Sequence, residues 1–205
     1  MLIGPHIFLV GAILALATSP IAGAALLIEG DLDGKALRIL VDTETSQAEV
    51  TFDQTRHLLD LRAKSARSVG PDGAVQELEV ASADGQASPK AEIKPWGPGP
   101  VIAGHASVYH VMTLNQEICG ELLISPWMKP FVKPAIEALA ILERIKGDDG
   151  IRSARLKGAC ATLPFSSYAA AGWPLMAGGV DEPIFKTTAI SFDYQPSESE
   201  LNWAE

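Results

Sequence analysis

The chain has 205 residues, 47% of them hydrophobic, and carries 16 Lys and Arg against 25 Asp and Glu, for a net charge of −9. An acidic chain without a basic cluster is repelled by nucleic acid and by anionic lipid, so neither is expected as a partner. The length suits one domain of ordinary size with a real core.

From Met1 through Ile28 there is no Asp, Glu, Lys or Arg, and Ile7 to Leu16 is almost purely aliphatic. An apolar core of about 10 residues fits a secretory signal and is too short for a bilayer, which needs about 20. Pro20 breaks the helix where a cleavage region wants extended backbone, and Ala22-Gly23-Ala24 has the small-residue form that a signal peptidase accepts. Residues 1–24 therefore read as a signal peptide and 25–205 as a single α+β domain, periplasmic or secreted. Because the apolar run resumes from Ile21 to Ile28, an uncleaved signal anchor is the alternative, and it would supply the only membrane contact expected. The segment has one soft point, an n-region with no Lys or Arg.

Short alternating strands follow. Leu26 to Leu32 and Ala36 to Val41, joined at Asp33-Gly34, predict a hairpin with Leu37, Ile39 and Val41 on one face. Ala48 to Phe52 alternates, with Val50 and Phe52 inward and Glu49 and Thr51 outward. His57 to Leu61 comes next, and Gly70 to Gly73 turns into a strand over Ala74 to Val80. Residues 81–100, rich in Gly, Pro, Ser and Ala, read as a loop by their turn chemistry. Two strands, Ala106 to Met112 and Glu117 to Ile124, precede a change of period. Pro134 suits a first helical position, and Ala135, Ala138, Leu139, Leu142 and Ile145 recur at helical steps up to Gly147. Asp148 to Pro164 can hold a second short helix. Gly172 to Ala177 and Ile184 to Tyr194 return to strands, with Ile190, Phe192 and Tyr194 on one side. The order predicts an α+β fold: a curled, half-barrel-like antiparallel sheet with one or two helices on its concave face.

No catalytic constellation, cofactor motif or metal motif stands out. His105 and His110 are five apart and fall on opposite faces of a strand, so they do not jointly grip a metal. Neither H-E-x-x-H nor paired C-x-x-C occurs. Asp31-Leu32-Asp33-Gly34 fits a hairpin turn better than a calcium loop, whose glycine and later acids it lacks. Ser107 shares a strand face with His105 but has no positioned third group. Asp148-Asp149 fits a solvated turn or helix cap, and the prolines around Gly97 and Gly99 remove the N–H donors a phosphate loop needs. No cofactor is expected. Cys119 and Cys160, in a chain sent to an oxidising compartment, pair by default; the bond would close a loop of about 40 residues and stabilise by roughly 4 kcal/mol. Two separately buried thiols are the alternative.

Val101-Ile102-Ala103-Gly104-His105-Ala106-Ser107-Val108-Tyr109, then Glu117-Ile118-Cys119-Gly120-Glu121-Leu122 and Ser125-Pro126-Trp127, resembles part of a secreted bacterial family of unknown function. In that family an I-A-G-aromatic strand precedes a Cys-bearing strand that ends near Trp, and then a helix. Lys186 to Tyr194 with Pro196 to Leu201 is similar to its last strand and tail. This chain departs in having His105 where an aromatic is usual, and in its polar Asn202-Trp203-Ala204-Glu205 ending. Such proteins are similar in architecture to periplasmic lipoprotein carriers, incomplete β-barrels that hold acyl chains beneath a helical lid. The resemblance implies an apolar cleft lined by Ala135, Leu139, Leu142 and Ile145, although the same residues equally make a filled core.

The leading expectation is a non-enzymatic, carrier-like periplasmic protein for a lipid or lipopeptide-like apolar ligand. A second is an interaction module or envelope-complex subunit anchored by Trp96 or Trp127. A third is a hydrolase using His105 or His57.

Overall fold

The computed structural model describes residues 25–82, 91–146, 163–164, 167, 171–178, 183–197 and 200. Among them, eleven strands form one open antiparallel sheet: β1 (Ala25–Leu32), β2 (Lys35–Asp42), β3 (Gln47–Phe52), β4 (Thr55–Asp60), β5 (Ser65–Val69), β6 (Val75–Leu78), β7 (Glu92–Ile102), β8 (His105–Leu114), β9 (Glu117–Ser125), β10 (Trp173–Gly178) and β11 (Pro183–Tyr194). The one described helix, α1 (Lys133–Leu142), starts with Pro134 in its first turn. The fold is thus dominated by its sheet. The expected second helix, in Asp148 to Pro164, falls almost wholly outside the described residues, as do the expected signal peptide, Asp148-Asp149 and Cys160.

The strand order is β6-β5-β4-β3-β2-β1-β11-β10-β9-β8-β7. Two meanders, β1–β6 and β7–β11, each pair only consecutive strands, and the antiparallel pairing of β1 with β11 joins them. Tight turns let neighbours pair. Asp33-Gly34, Asp53-Gln54, Ala103-Gly104 and Asn115-Gln116 all have two successive positive φ angles, the backbone of a primed hairpin turn whose twist matches that of the strands. At the first of these the Asp31 carboxylate accepts the Gly34 N–H at 2.8 Å, which accounts for the acidic residues there as turn chemistry.

Register places Ile28, Ile39, Val50, His57 and Ser68 in one row across β1 to β5. This face is the main core, where Leu37, Ile39 and Val41 are buried as the alternation predicts. α1 lies against β2, β3 and β5, and Ala135, Ala138, Leu139, Ile141 and Leu142 are all buried in the same cluster. Beyond the helix, Ile145 bridges to Val80. Arg144 O accepts the Ala81 N–H at 2.8 Å, and Glu79 O accepts the Lys146 N–H at 2.9 Å.

Residues 92–100 correct the expected loop over 81–100: they belong to β7, and 83–90 lie outside the described residues. Pro95, Pro98 and Pro100 cannot donate to a ladder, but β7 pairs only with β8 and stands at the sheet's edge, where one row of N–H groups has no strand to meet. Register shifts between Pro95 and Gly97 and between Pro98 and Val101 absorb the misfit.

Two further differences come from the second face. Glu49 points away from the main core, as expected, yet is only 5% exposed. Its neighbours across the ladder are Leu40 and Leu58, and it is held by the guanidinium of Arg56 at 2.7 Å and that of Arg38 at 3.8 Å. Tyr194 does not share the environment of Ile190 and Phe192. A register shift between Ala25 and Leu27 sends it to pack with Ala25, Leu27 and Leu40, while Ile190 and Phe192 stay against the main core.

The seam itself is close-fitting. A Cβ on Gly30 would sit 2.8 Å from the Lys186 carbonyl oxygen and 3.2 Å from the Phe185 ring, beside a register shift between Glu29 and Gly30. Next to it the Trp173 indole N–H donates to Thr187 Oγ1 at 3.1 Å, and that hydroxyl donates to Pro174 O at 3.1 Å. Gly30→Ala is expected to lower unfolding stability by about 1–3 kcal/mol, because backbone rather than a flexible side chain must give way. Urea denaturation checks this; an unchanged midpoint would show that the seam is not close-packed at Gly30.

Candidate functional site

The segment between β9 and α1 is built to hold aromatic rings outward. Pro126 opens a single 3-10 turn, Pro126–Met128, after Ser125, and Lys129, Phe131 and Val132 continue it through hydrogen bonds to Pro126 O and Met128 O. Met128 and Val132, four apart, are completely buried. Trp127 and Phe131, also four apart, consequently face outward and are 48% and 54% exposed. Side chains at such spacing share a face of a helical turn.

Two other strands bring rings to the same place. His105 opens β8 immediately after the Ala103-Gly104 turn, and Phe192 lies near the end of β11. Ring centroids stand 5.4 Å apart for His105–Trp127, 6.0 Å for Trp127–Phe192, 5.4 Å for Phe131–Phe192 and 6.3 Å for Trp127–Phe131. Tilted and edge-on contacts of this kind suit the ring quadrupoles. Phe192 also packs against the main core, so the patch is continuous with the apolar interior. Between Glu121 and Glu137 the sequence has no acid and two lysines, Lys129 and Lys133, both exposed.

The other residues singled out from the sequence have structural settings. Ser107 is buried and donates its hydroxyl to Pro100 O at 2.6 Å. A Cβ on Gly99 would collide with Ser107 Oγ and fall 2.8 Å from Leu123 Cδ2, so a glycine is what lets β7 approach the Ser107 hydroxyl so closely. His110 is buried, with Nδ1 2.8 Å from Val108 O. His57 is buried in the main-core row between Val50 and Ser68. His105 thus lies in the aromatic patch, His57 in the main-core row and Ser107 at the β7–β8 pairing. No group of three or more His, Cys, Asp or Glu among the described residues is placed to hold a metal. Ala135, Leu139, Leu142 and Ile145 are each at most 4% exposed and packed in the core cluster. Cys119 lies on β9, partly buried against that cluster, and its expected partner Cys160 lies outside the described residues. Tyr109 has its hydroxyl pKa pushed up to about 12, first by its hydrogen bond to Glu121 and then by burial.

On the opposite face, Glu200 gathers the C-terminal tail. Its carboxylate accepts from Arg38 Nη2 at 2.5 Å, the Ser197 N–H at 2.8 Å, the Ser197 hydroxyl at 2.9 Å and the Tyr194 hydroxyl at 3.2 Å. Arg38 also lies over the Tyr194 ring, 5.7 Å from its centroid.

Trp127 was legible as a candidate anchor, but Phe131 and its part in a patch with Phe192 and His105 were not. The available signal was local: apolar residues at 127, 128, 131 and 132 alternate outward and inward within a Pro-bounded turn. Nothing in the sequence placed β8 and β11 beside it.

Comparison with protein-family models, curated proteins and solved structures finds no match to this chain. Among the described residues no helix is long and apolar enough to cross a membrane.

Contact with Ser197 N–H holds the Glu200 carboxyl below its ordinary pKa, helped by the Ser197 hydroxyl, Arg38 and Tyr194, while partial burial opposes. A lowered folded-state pKa contributes stability above the unfolded-state value and loses it as pH falls through the folded one. Glu200→Gln should therefore cost about 1 kcal/mol at neutral pH and nothing in strong acid. Equal differences in thermal midpoint at both pH values would count against this role.

Proposed function

We propose that the protein is an exported, non-enzymatic binding protein for a lipid or lipopeptide-like apolar ligand, of the carrier type that its sequence resembles. The observation that carries this reading is the patch in which Trp127 and Phe131 are exposed, His105 and Phe192 are half-buried beside them, and Phe192 continues into the core. Exposed aromatic surface on a folded domain marks a place where something apolar binds.

A curled sheet with α1 across its concave side is part of the proposal, and a length argument supports it. The strand order puts eight spacings between β9 and β6, about 38 Å in a flat sheet. The chain covers this from Ser125 to Ile145, beside Val80, in a path that is mostly helical and reaches only about 30 Å. Curvature shortens the chord to what the helix can span. α1 then runs from the aromatic patch across the sheet, as a lid would, and the patch marks the end at which a ligand meets the interior. Ala135, Leu139, Leu142 and Ile145, already packed, would have to part from the sheet for a chain to enter between them; a ligand held at the patch needs no such opening.

Protein purified from its native compartment is expected to release an apolar molecule on solvent extraction, seen as a mass increment in native mass spectrometry. It should also take up fatty acid, with about tenfold weaker uptake in Trp127→Ala as roughly half of an indole's contact is lost. Absence of both bound molecule and uptake would sink the reading.

Export is the setting in which this function makes sense. Cleavage after Ala24 would leave Ala25, which is paired with Tyr194 in β1, as the first residue. In that oxidising setting Cys119 and Cys160 are paired. The purified protein should show a mass two hydrogens below the fully reduced value, and only reductant under denaturing conditions should release two thiols; two freely titrating thiols without reductant would refute the bond.

A protein partner is the second reading, favoured by Trp96, 78% exposed at the Pro95/Gly97 irregularity of edge strand β7. It requires a stable stoichiometric complex from envelope extracts that is lost in Trp96→Ala, whereas the carrier reading requires none.

A further inference from the structure

From the Trp127–Phe131 patch and its lysines we infer that the β9–α1 segment docks the protein on the surface of an anionic phospholipid bilayer, where ligand is collected or delivered. This rests on the binding function proposed above and adds the partner.

Three observations carry it. The exposed rings of Trp127 and Phe131 project from one turn while Met128 and Val132 fix that turn in the core, so the rings meet whatever surface approaches. Aromatic side chains of this kind settle at the headgroup level of bilayers. Lys129 and Lys133 are exposed in the same turn and at the start of α1, and long cationic side chains beside an apolar patch reach phosphate while their stems lie on hydrocarbon. Lys133 meets Glu137 at 3.8 Å, with both side chains at least half exposed, so this pair is weak and exchangeable.

The net charge of −9 opposes approach to an anionic membrane, but charges act over a Debye length of about 8 Å at physiological ionic strength. Near Trp127 and Phe131 the chain sets Lys129 and Lys133 against Glu137, 3.8 Å from Lys133, and Asp193, next in sequence to Phe192, so the patch is locally balanced rather than strongly acidic and the two exposed lysines remain available to phosphate. A bilayer is also the place from which a poorly soluble apolar ligand is obtained, so a binding patch and a docking patch belong together.

The test is flotation of the full chain with phosphatidylcholine vesicles, with and without phosphatidylglycerol. Binding is expected only with the anionic lipid and should weaken with salt. Trp127→Ser with Phe131→Ser should reduce partitioning about tenfold or more; Lys129→Glu with Lys133→Glu should abolish the preference for phosphatidylglycerol while leaving uptake of soluble fatty acid unchanged. Thermal melts of each variant confirm folding. No flotation of the wild type, or flotation unchanged in either double variant, overturns the docking. If fatty-acid uptake persists in that case, the binding function stands without it. A concentration-dependent dimer that the aromatic double variant dissolves, with no vesicle binding, would assign the patch to a second copy and overturn the docking as well.

Discussion

The structure depends on one long-range pairing. Every other pairing among the eleven described strands joins neighbours in sequence, formed as the chain turns back at a short hairpin or after one excursion. Only β1 with β11 brings the first described strand against the last. Without it the sheet is two meanders of six and five strands, each exposing a full edge and half a core. The local hairpins close small loops at low entropic cost, whereas the seam must repay closure of nearly the whole domain. Its composition answers that demand: Trp173 and Phe185 meet edge-on at 6.1 Å and are buried, Thr187 satisfies the indole N–H, and Gly30 removes the one Cβ that would hold the backbones apart.

The seam also explains why the aromatic patch exists. Phe192 reaches His105 and Trp127 only because β11 is bound on one side to β1 and on the other to β10, which holds β9 and then β8 in order. Sequence distance between His105 and Phe192 is large, and nothing in their local patterns links them. By contrast the hairpin at Asp33-Gly34, the alternating faces of β2 and the buried stripe of α1 follow from periods and turn residues a few positions apart, and these were legible. The prolines of β7 misled because Pro signals a loop by what it cannot donate, and an edge position makes no demand on that donor. Tyr194 departed from its alternating neighbours for a related reason: a register shift inverts the faces beyond it, and no residue type announces the shift.

Glu49 illustrates a third limit. Alternation assigned it correctly to the face away from the core, but exposure depends on what covers that face. Here Arg38 and Arg56 hold it and Leu40 and Leu58 flank it across the ladder, while the Tyr194 ring lies under Arg38 and against Leu27 and Leu40. A carboxylate removed from water this far survives because guanidinium groups lie on both sides; desolvation offsets most of the Coulomb gain, so the cluster fixes geometry more than it adds stability. It fixes β2, β3 and β4 relative to one another and, through Arg38 and Glu200, the tail after β11.

The two faces therefore differ in kind. The tail-bearing face is held by charge-assisted hydrogen bonds around Arg38, while the helix-bearing face is apolar and ends at rings that no described part of the chain covers. Folding alone would favour turning Trp127 and Phe131 inward, since burying each would add about 1–2 kcal/mol of transfer free energy. Met128 and Val132 occupy the inward positions instead, and the i, i+4 spacing that buries one pair obliges the other to face out. A sequence that wanted only stability could exchange the indole at 127 for a polar residue without disturbing either anchor. The turn thus presents an indole and a phenyl ring to solvent, with Lys129 and Lys133 beside them and no acid in the sequence between Glu121 and Glu137.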